Sequence, residues 1–395
     1  MLSQLDVPPA STTSLVVRNA RAVLRNRIAE DATVIAEDGI IVEVREGGVA
    51  PNGAIDARGG FLLPGLTDTH SDALEREINP RPGSHFPPGF ALRSLEGRLK
   101  AAGISTAFTG VGFQENEGYG RTIELARQLC ALLHERRSSA EGQVEHRILF
   151  RLDARTPVGL DAMLECLPAA GQALVSIEDH TPGQGQFRNL DQLKRQYRAN
   201  GRAQNDEEIE AILAQRIAER NELLPHVQSN RRVLRQLVSE GRIRLLAHDL
   251  EDAAQTVEAH ALGASVAEFP LSLEAARTAH QCGMQVVMGA PNVVRGGSLA
   301  GNVGAAQLVS HGLCDALASD YQPAAILAAV FRLADDGVAD LPRAAGLATW
   351  GSARTVGLED RGELAEGRRA DLVLVDLDGG WPVVRWSWSA GGFSA

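Results

Sequence analysis

Eight short apolar runs, each followed by a stretch of helical period, constrain this 395-residue chain more than any other feature. They lie at 61–70, 105–110, 147–153, 173–180, 243–248, 265–269, 285–289 and 316–320. Short apolar runs alternating with helices give parallel strands, because a parallel neighbour needs a long crossover that a helix fills. Eight such units are the count of a closed α/β barrel. A doubly wound open sheet is the alternative, but no glycine-rich dinucleotide loop follows an early strand. The expected fold is α/β, a TIM-like (β/α)8 barrel.

Both chain ends have a different texture. Short strands broken by turns fill about 14–60, with Asp38-Gly39 as a tight hairpin signal, and return in Ala370–Asp376 and Val383–Trp386. A composite β-domain of 14–60 and 356–390, a small β-sandwich, is expected beside a barrel of 61–355. Between the fourth and fifth runs the polar segment 181–241 is too long for an ordinary connection. Its second half, charged and helical in period apart from Pro225, predicts two helices over the barrel mouth or at a dimer contact.

Apolar residues are 44% of the chain, ample for a core of this size, and no run is long enough to span a bilayer. Met1–Ser14 reads as a short leader without a secretory pattern. Four scattered cysteines (Cys130, Cys166, Cys282, Cys314) form no C-x-x-C pair, which fits reduced, buried thiols. A cytoplasmic location follows as the expectation. The formal net charge of −11 argues against nucleic acid or an anionic membrane as partner, so an anionic small molecule needs a local arginine cluster to hold it.

Polar residues close the apolar runs, where barrels of this kind carry their active sites. His70 and Asp72 end the first run, Asp153 the third, His180 the fourth, His248 the fifth and Asp320 the eighth. Residues two apart on a strand share a face, so the imidazole of His70 and the carboxylate of Asp72 can grip one ion. Any single histidine here reads as a hydrogen-bonded core residue. Six polar strand ends together read as a site for one or two divalent cations, with zinc the expected metal. Two loops have anion-binding character. Asp179–Arg188, which includes Gln184, is glycine-rich, and Ala290–Asn302 contains Arg295, Gly296, Gly297, Ser298 and Asn302. Glycine lets backbone N–H groups approach a phosphate and arginine offers a two-pronged fork. Arg81, in Pro80-Arg81-Pro82-Gly83, is placed to serve the same anion, although turn residues in a turn explain that string equally well.

Phe61–His70 followed by Ser71-Asp72, together with Asp179-His180-Thr181-Pro182-Gly183-Gln184, Ala247-His248-Asp249, Ala290–Ser298 and Ala318-Ser319-Asp320-Tyr321, resembles the amidohydrolase superfamily. Within it the match is to the branch of α-D-ribose 1-methylphosphonate 5-triphosphate diphosphatases of phosphonate metabolism, over 61 to about 367. The resemblance implies metal ligation by His70, Asp72, His180, His248 and Asp320, with Asp320 also the general base. It further implies attack of water on a triphosphate with release of pyrophosphate, and homodimerisation is expected for the class. Many superfamily members bridge two metals with a carboxylated lysine. Here the only lysines, Lys100 and Lys194, lie on no strand end, and Asp153 is the expected replacement.

Two stretches depart from the branch pattern. Arg151-Leu152-Asp153 stands where Arg-Cys-Glu is usual, and the second run lacks the aspartate expected after its phenylalanine. A paralogue hydrolysing a C–N or C–O bond (a cyclic amidase, deaminase or lactonase) is therefore the alternative. A catalytically silent barrel would require lost ligands, and only the Glu-to-Asp change leans that way.

Overall fold

The computed structural model describes residues 14–49, 51, 53–81, 83–115, 120–139, 143–169, 171–199, 205–298, 301–389 and 392–394. The expected leader before Ser14 lies outside them. The chain enters through β1 (Ser14–Val23), β2 (Ile28–Glu37), β3 (Ile40–Glu46), β4 (Ile55–Asp56) and β5 (Phe61–Pro64). The barrel strands are β6 (Leu66–Ser71), β7 (Ile104–Phe113), β8 (Glu145–Asp153), β9 (Ala173–Glu178), β10 (Ile243–His248), β11 (Ala264–Glu268), β12 (Gln285–Gly289) and β13 (Ala316–Ala318). The chain closes with β14 (Leu372–Asp378), β15 (Trp381–Ser389) and β16 (Gly392–Ser394).

Sheet one joins the two chain ends in the order β16-β15-β14-β5-β1-β2-β3, with β4 beside β1. Asp38 and Gly39 turn the β2–β3 hairpin with positive φ at both residues (47° and 78°), the turn that matches strand twist. The first apolar run divides at Gly65. Phe61–Pro64 pairs with β14, while Leu66–Ser71 opens the barrel. A Cβ at position 65 would come within 2.7 Å of Asp371 Cβ, so the chain crosses between the sheets only as glycine.

The second sheet runs β6 to β13 in sequence order, all parallel. Its inner face explains where the chemistry sits. Phe108, Leu149, Leu174, Leu246, Val266, Val287, Ala316 and Ala318 pack as one buried cluster inside the barrel. Stepping two residues along a strand keeps the face. From this apolar layer, Leu149 leads to Arg151 and Asp153, Leu174 to Ser176 and Glu178, Leu246 to His248, Val266 to Glu268, and Ala318 to Asp320. β6 contributes Asp68, His70 and Asp72 in the same phase. The barrel therefore closes at its mouth: Asp320 N–H donates to His70 O (2.9 Å) and Asp72 N–H to Asp320 O (2.6 Å). Deeper in the seam, Asp68 accepts from the Ser319 N–H (2.9 Å) and hydroxyl (2.5 Å), while Leu347 and Ala348 accept the N–H groups of Leu317 and Thr67.

The segment 181–241 forms helices Leu190–Ala199, Asp206–Glu222 and Leu224–Ser239. The last packs on β10 as an ordinary barrel helix and carries Pro225 in its first turn, where a missing N–H costs nothing. The other two enclose a small core of Leu193, Tyr197, Ile209 and Leu213 over the mouth. No helix among the described residues is long and apolar enough to cross a membrane.

Glu145 ties the barrel to the returning chain, accepting from Arg361 (2.6 Å), Arg369 (2.8 Å) and Arg147 (2.7 Å). Burial alone would raise its carboxyl, but the Arg361 and Arg147 guanidiniums outweigh it and hold it down at about 2. A depressed folded-state pKa stabilises above the unfolded value and is lost as pH falls through the folded one. That window runs from the ordinary 4.5 down to about 2, on the order of 3 kcal/mol at 1.36 kcal/mol per unit. Glu145→Gln is expected to lower Tm at pH 7, with the gap to wild type closing as pH falls through this window. A gap that stays constant with pH in thermal melts would assign its effect to packing instead.

Candidate active site

Above the apolar layer, three groups of side chains place ligand-type atoms within 4.8 Å of one another: His70, Asp72 and Asp320; Glu178, His180 and His248; and His70, His248 and Glu268. The rings of His70 and His248 lie 5.5 Å apart, and those of His180 and His248 5.6 Å. Sharing His70 and His248 between groups makes this one centre. Three strand ends turn left-handed to aim side chains into it: Asp249 (φ 58°), Phe269 (φ 54°) and Asp320 (φ 56°). Such backbone costs on the order of 1 kcal/mol per residue, and the surrounding barrel holds it.

Glu268, fully buried at the end of β11, accepts from His70 Nδ1 (2.8 Å), His248 Nδ1 (2.7 Å) and the Ser176 hydroxyl (2.6 Å). A carboxylate only accepts, so both rings carry their proton on Nδ1 and present Nε2 inward. His70 Nε2 then lies 3.3 Å from Asp72 Oδ1. Asp249 Oδ2 lies 3.6 Å from His248 Nε2 and 3.5 Å from His180 Nε2. Asp72 Oδ1, Glu178 Oε1 and Asp249 Oδ2 are buried without a hydrogen bond. Imidazole Nε2 atoms facing orphaned carboxylate oxygens call for a positive species between them, a second ring proton or a cation, and a nitrogen–oxygen set suits a divalent ion of the zinc type. The residues fit such an ion.

The fields reflect this crowding. Burial disfavours a charged His70, yet Glu268 and Asp72 outweigh it and hold the ring well above the usual imidazole range. Burial would raise Glu178, but Arg151 and the nearby imidazoles keep it well below the usual carboxylate range. Burial, reinforced by the charge of Asp72, pushes Asp320 up to about 6.

The centre opens into a cavity of about 930 Å³ roofed by the helix Asp206–Glu222. Arg76, Arg121, Arg151, Arg216, Arg220 and Arg295 line it. Arg121, Arg151 and Arg220 are spoken for by Glu75, by Asp72 with Glu178, and by Asp153 with Asp179. Arg76, Arg216 and Arg295 have no carboxylate partner among the described residues. Arg76 lies over the Tyr321 ring (4.7 Å), Arg295 donates to the Tyr321 hydroxyl (2.6 Å), and Arg216 to that of Tyr197 (2.8 Å).

Comparison with known proteins agrees with this architecture. No family model matches the chain. The α-D-ribose 1-methylphosphonate 5-triphosphate diphosphatase of Escherichia coli (strain K12) is 35% identical over 367 residues, covering 91% of this chain and 94% of that protein. The chain belongs to the α-D-ribose 1-methylphosphonate 5-triphosphate diphosphatase family. It is thus a hydrolase of the amidohydrolase superfamily. Solved structures of other members share its fold. The 5-methylcytosine deaminase of Klebsiella pneumoniae liganded with 5-fluorocytosine superposes with a TM-score of 0.64 at 18% identity, over 96% of this chain and 97% of that one. A Xaa-Pro dipeptidase with bound methionine gives 0.63 at 12%, over 96% and 99%. At these identities the likeness concerns fold alone.

Against this diphosphatase-family frame, the expected residues divide clearly. His70, Asp72, His180, His248 and Asp320 meet at the centre. Asp153 belongs to none of the three groups, which corrects its expected bridging role. Its oxygens accept both prongs of Arg220 (2.6 and 2.9 Å) and the Arg155 N–H (2.8 Å), which ties it to Arg220 at the cavity wall. Glu178, one strand over and two residues before His180, takes the inward position instead. Arg295, Ser298 and Asn302 line the cavity, but the glycine cradle does not form. Gly296 and Gly297 end the helix Ala290–Arg295, and their N–H groups are committed to Val293 O (3.2 Å) and Asn292 O (2.8 Å). Arg81 is exposed outside the cavity lining, where Arg76 of the preceding helix stands. Gln184 accepts from Arg155 (3.3 Å) away from the lining, while Gln186 reaches His180 Nε2 (3.0 Å). Sequence reasoning missed Glu178, Asp249, Glu268 and Arg151. A signal existed for two of them: Glu178 shares the face of His180 by alternation, and Glu268 is a carboxylate closing an apolar run.

Proposed function

We propose that the chain hydrolyses a phosphoanhydride of a ribosyl triphosphate, α-D-ribose 1-methylphosphonate 5-triphosphate, releasing pyrophosphate. The observation that carries this reading is the cavity. Three arginines without carboxylate partners converge beside an imidazole–carboxylate centre in a chain whose net charge is −11. Polyphosphate recognition needs guanidiniums that are not already committed to carboxylates. The name of the Escherichia coli relative supplies the particular triphosphate. Divalent metal, zinc by its nitrogen and oxygen ligands, as one ion or two, would be held by His70, Asp72 and Asp320 on one side and Glu178, His180 and His248 on the other, with Asp249 beside them. When bound it supplies Lewis acidity at a phosphoryl oxygen. The chain's own residues do the rest. Arg76, Arg216 and Arg295 hold phosphoryl oxygens and offset charge gathering on them. Asp320, a carboxylate at the mouth of the barrel, accepts the proton of the attacking water. The Asp206–Glu222 helix covers the site.

Zinc-loaded protein given the triphosphate is expected to yield pyrophosphate and ribose 1-methylphosphonate 5-phosphate by phosphorus NMR, with the reaction lost on chelation. Zinc-replete protein that leaves the triphosphate intact would redirect the reading to C–N or C–O bond hydrolysis.

A further inference from the structure

We infer that Arg151 couples two neighbouring cation half-sites by gripping one oxygen of Asp72 and one of Glu178, which leaves the second oxygen of each turned to the centre. The inference rests on the cation-binding reading above.

Arg151 stands on β8 and is 3% exposed. Its Nη1 donates to Asp72 Oδ2, and its Nε and Nη2 donate to Glu178 Oε2 at 3.0 and 2.5 Å. The two oxygens it leaves alone, Asp72 Oδ1 and Glu178 Oε1, are buried and without a hydrogen bond. Asp72 Oδ1 lies 3.3 Å from His70 Nε2, and Glu178 Oε1 lies 3.7 Å from His180 Nδ1. Asp72 belongs to the group with His70 and Asp320, and Glu178 to the group with His180 and His248. One guanidinium thus touches one carboxylate of each group and fixes which oxygen each offers.

The geometry needs arginine. Its planar fork spans two carboxylates with separate N–H bonds, whereas an ammonium is a compact point donor on a flexible stem. The space also comes from a particular residue. A Cβ at Gly110 of β7 would lie 3.0 Å from Arg151 Cδ and 2.5 Å from Asp72 Oδ1, so β7 passes this level without a side chain. Electrostatics sharpens the test. A fixed positive charge beside a cation weakens binding by repulsion, so any gain in affinity from Arg151 must come from holding the carboxylates in place.

The experiment is a Co2+ titration of chelated full-length protein, followed by calorimetry and by visible absorption, with circular dichroism as the control for folding. Arg151→Lys keeps the charge and loses the fork. It is expected to bind Co2+ at least about tenfold more weakly, with an altered visible spectrum, in the range of losses seen when residues that orient metal ligands are removed. Gly110→Ala, which keeps Arg151 but presses a methyl on the pair, is expected to shift the spectrum in the same direction in a folded protein. Arg151→Lys or Gly110→Ala with wild-type Co2+ affinity and spectrum overturns the inference. So does tighter binding by Arg151→Met, which would leave Arg151 only a repelling charge. Failure of the wild-type protein to bind Co2+ or Zn2+ at all would instead remove the cation-binding reading beneath it.

Discussion

Asp320→Asn is expected to lower kcat by at least about a thousandfold while the protein stays folded. The contacts that close the barrel at this point are backbone ones, Asp320 N–H to His70 O and Asp72 N–H to Asp320 O, and both survive the substitution. Asparagine also tolerates the left-handed conformation at φ 56°. What disappears is the carboxylate placed to accept the proton at the centre, one that burial and Asp72 push up in the metal-free protein. General base catalysis alone contributes about 10²- to 10⁴-fold, and loss of an ion-binding oxygen adds to this. The check is steady-state kinetics beside a thermal melt. A folded variant that keeps activity within tenfold of wild type would remove Asp320 from the proton-accepting role.

Glu268→Gln is expected to be the second most damaging change, although Glu268 faces the interior behind the histidines. Its carboxylate accepts from both His70 and His248 at Nδ1. A glutamine amide presents one accepting oxygen and one donating NH₂ in its place. One ring must then accept at Nδ1 and carry its proton on Nε2, which turns an inward lone pair into an N–H. That ring can no longer ligate a cation. Losses of about 10- to 100-fold in zinc affinity, with a matching loss in kcat/KM, are the expected scale for disturbing the partner of a ligating histidine. Glu268→Asp, which keeps the acceptor character on a shorter arm, is expected to retain more zinc affinity than Glu268→Gln. The reverse order would show that volume, and not tautomer control, is what position 268 supplies.

Much of this architecture was legible before any coordinates. Short apolar runs alternating with segments of helical period gave the eight barrel strands, because a parallel neighbour needs a crossover that a helix fills. Asp38-Gly39 specified its hairpin through local backbone preference. His70 and Asp72 announced themselves because their relationship is confined to one strand. These are local properties, and a sequence states local properties directly.

The centre's second half was not local. Arg220 reaches Asp153 across 67 residues and removes it from the centre, and nothing near position 153 foretells that. His70 and Glu268 meet across 198 residues. Gly296 and Gly297 looked like a phosphate cradle until the helix Ala290–Arg295 claimed their N–H groups. The sequence by itself determined the strand and helix periods, the polar strand ends and the His-x-Asp pair. Only the tertiary structure decided which carboxylates reach the centre and which arginines stay without a partner. That choice depends on strand phase and on pairing between distant side chains, and a shift of one residue along a strand turns a ligand into a core or surface residue.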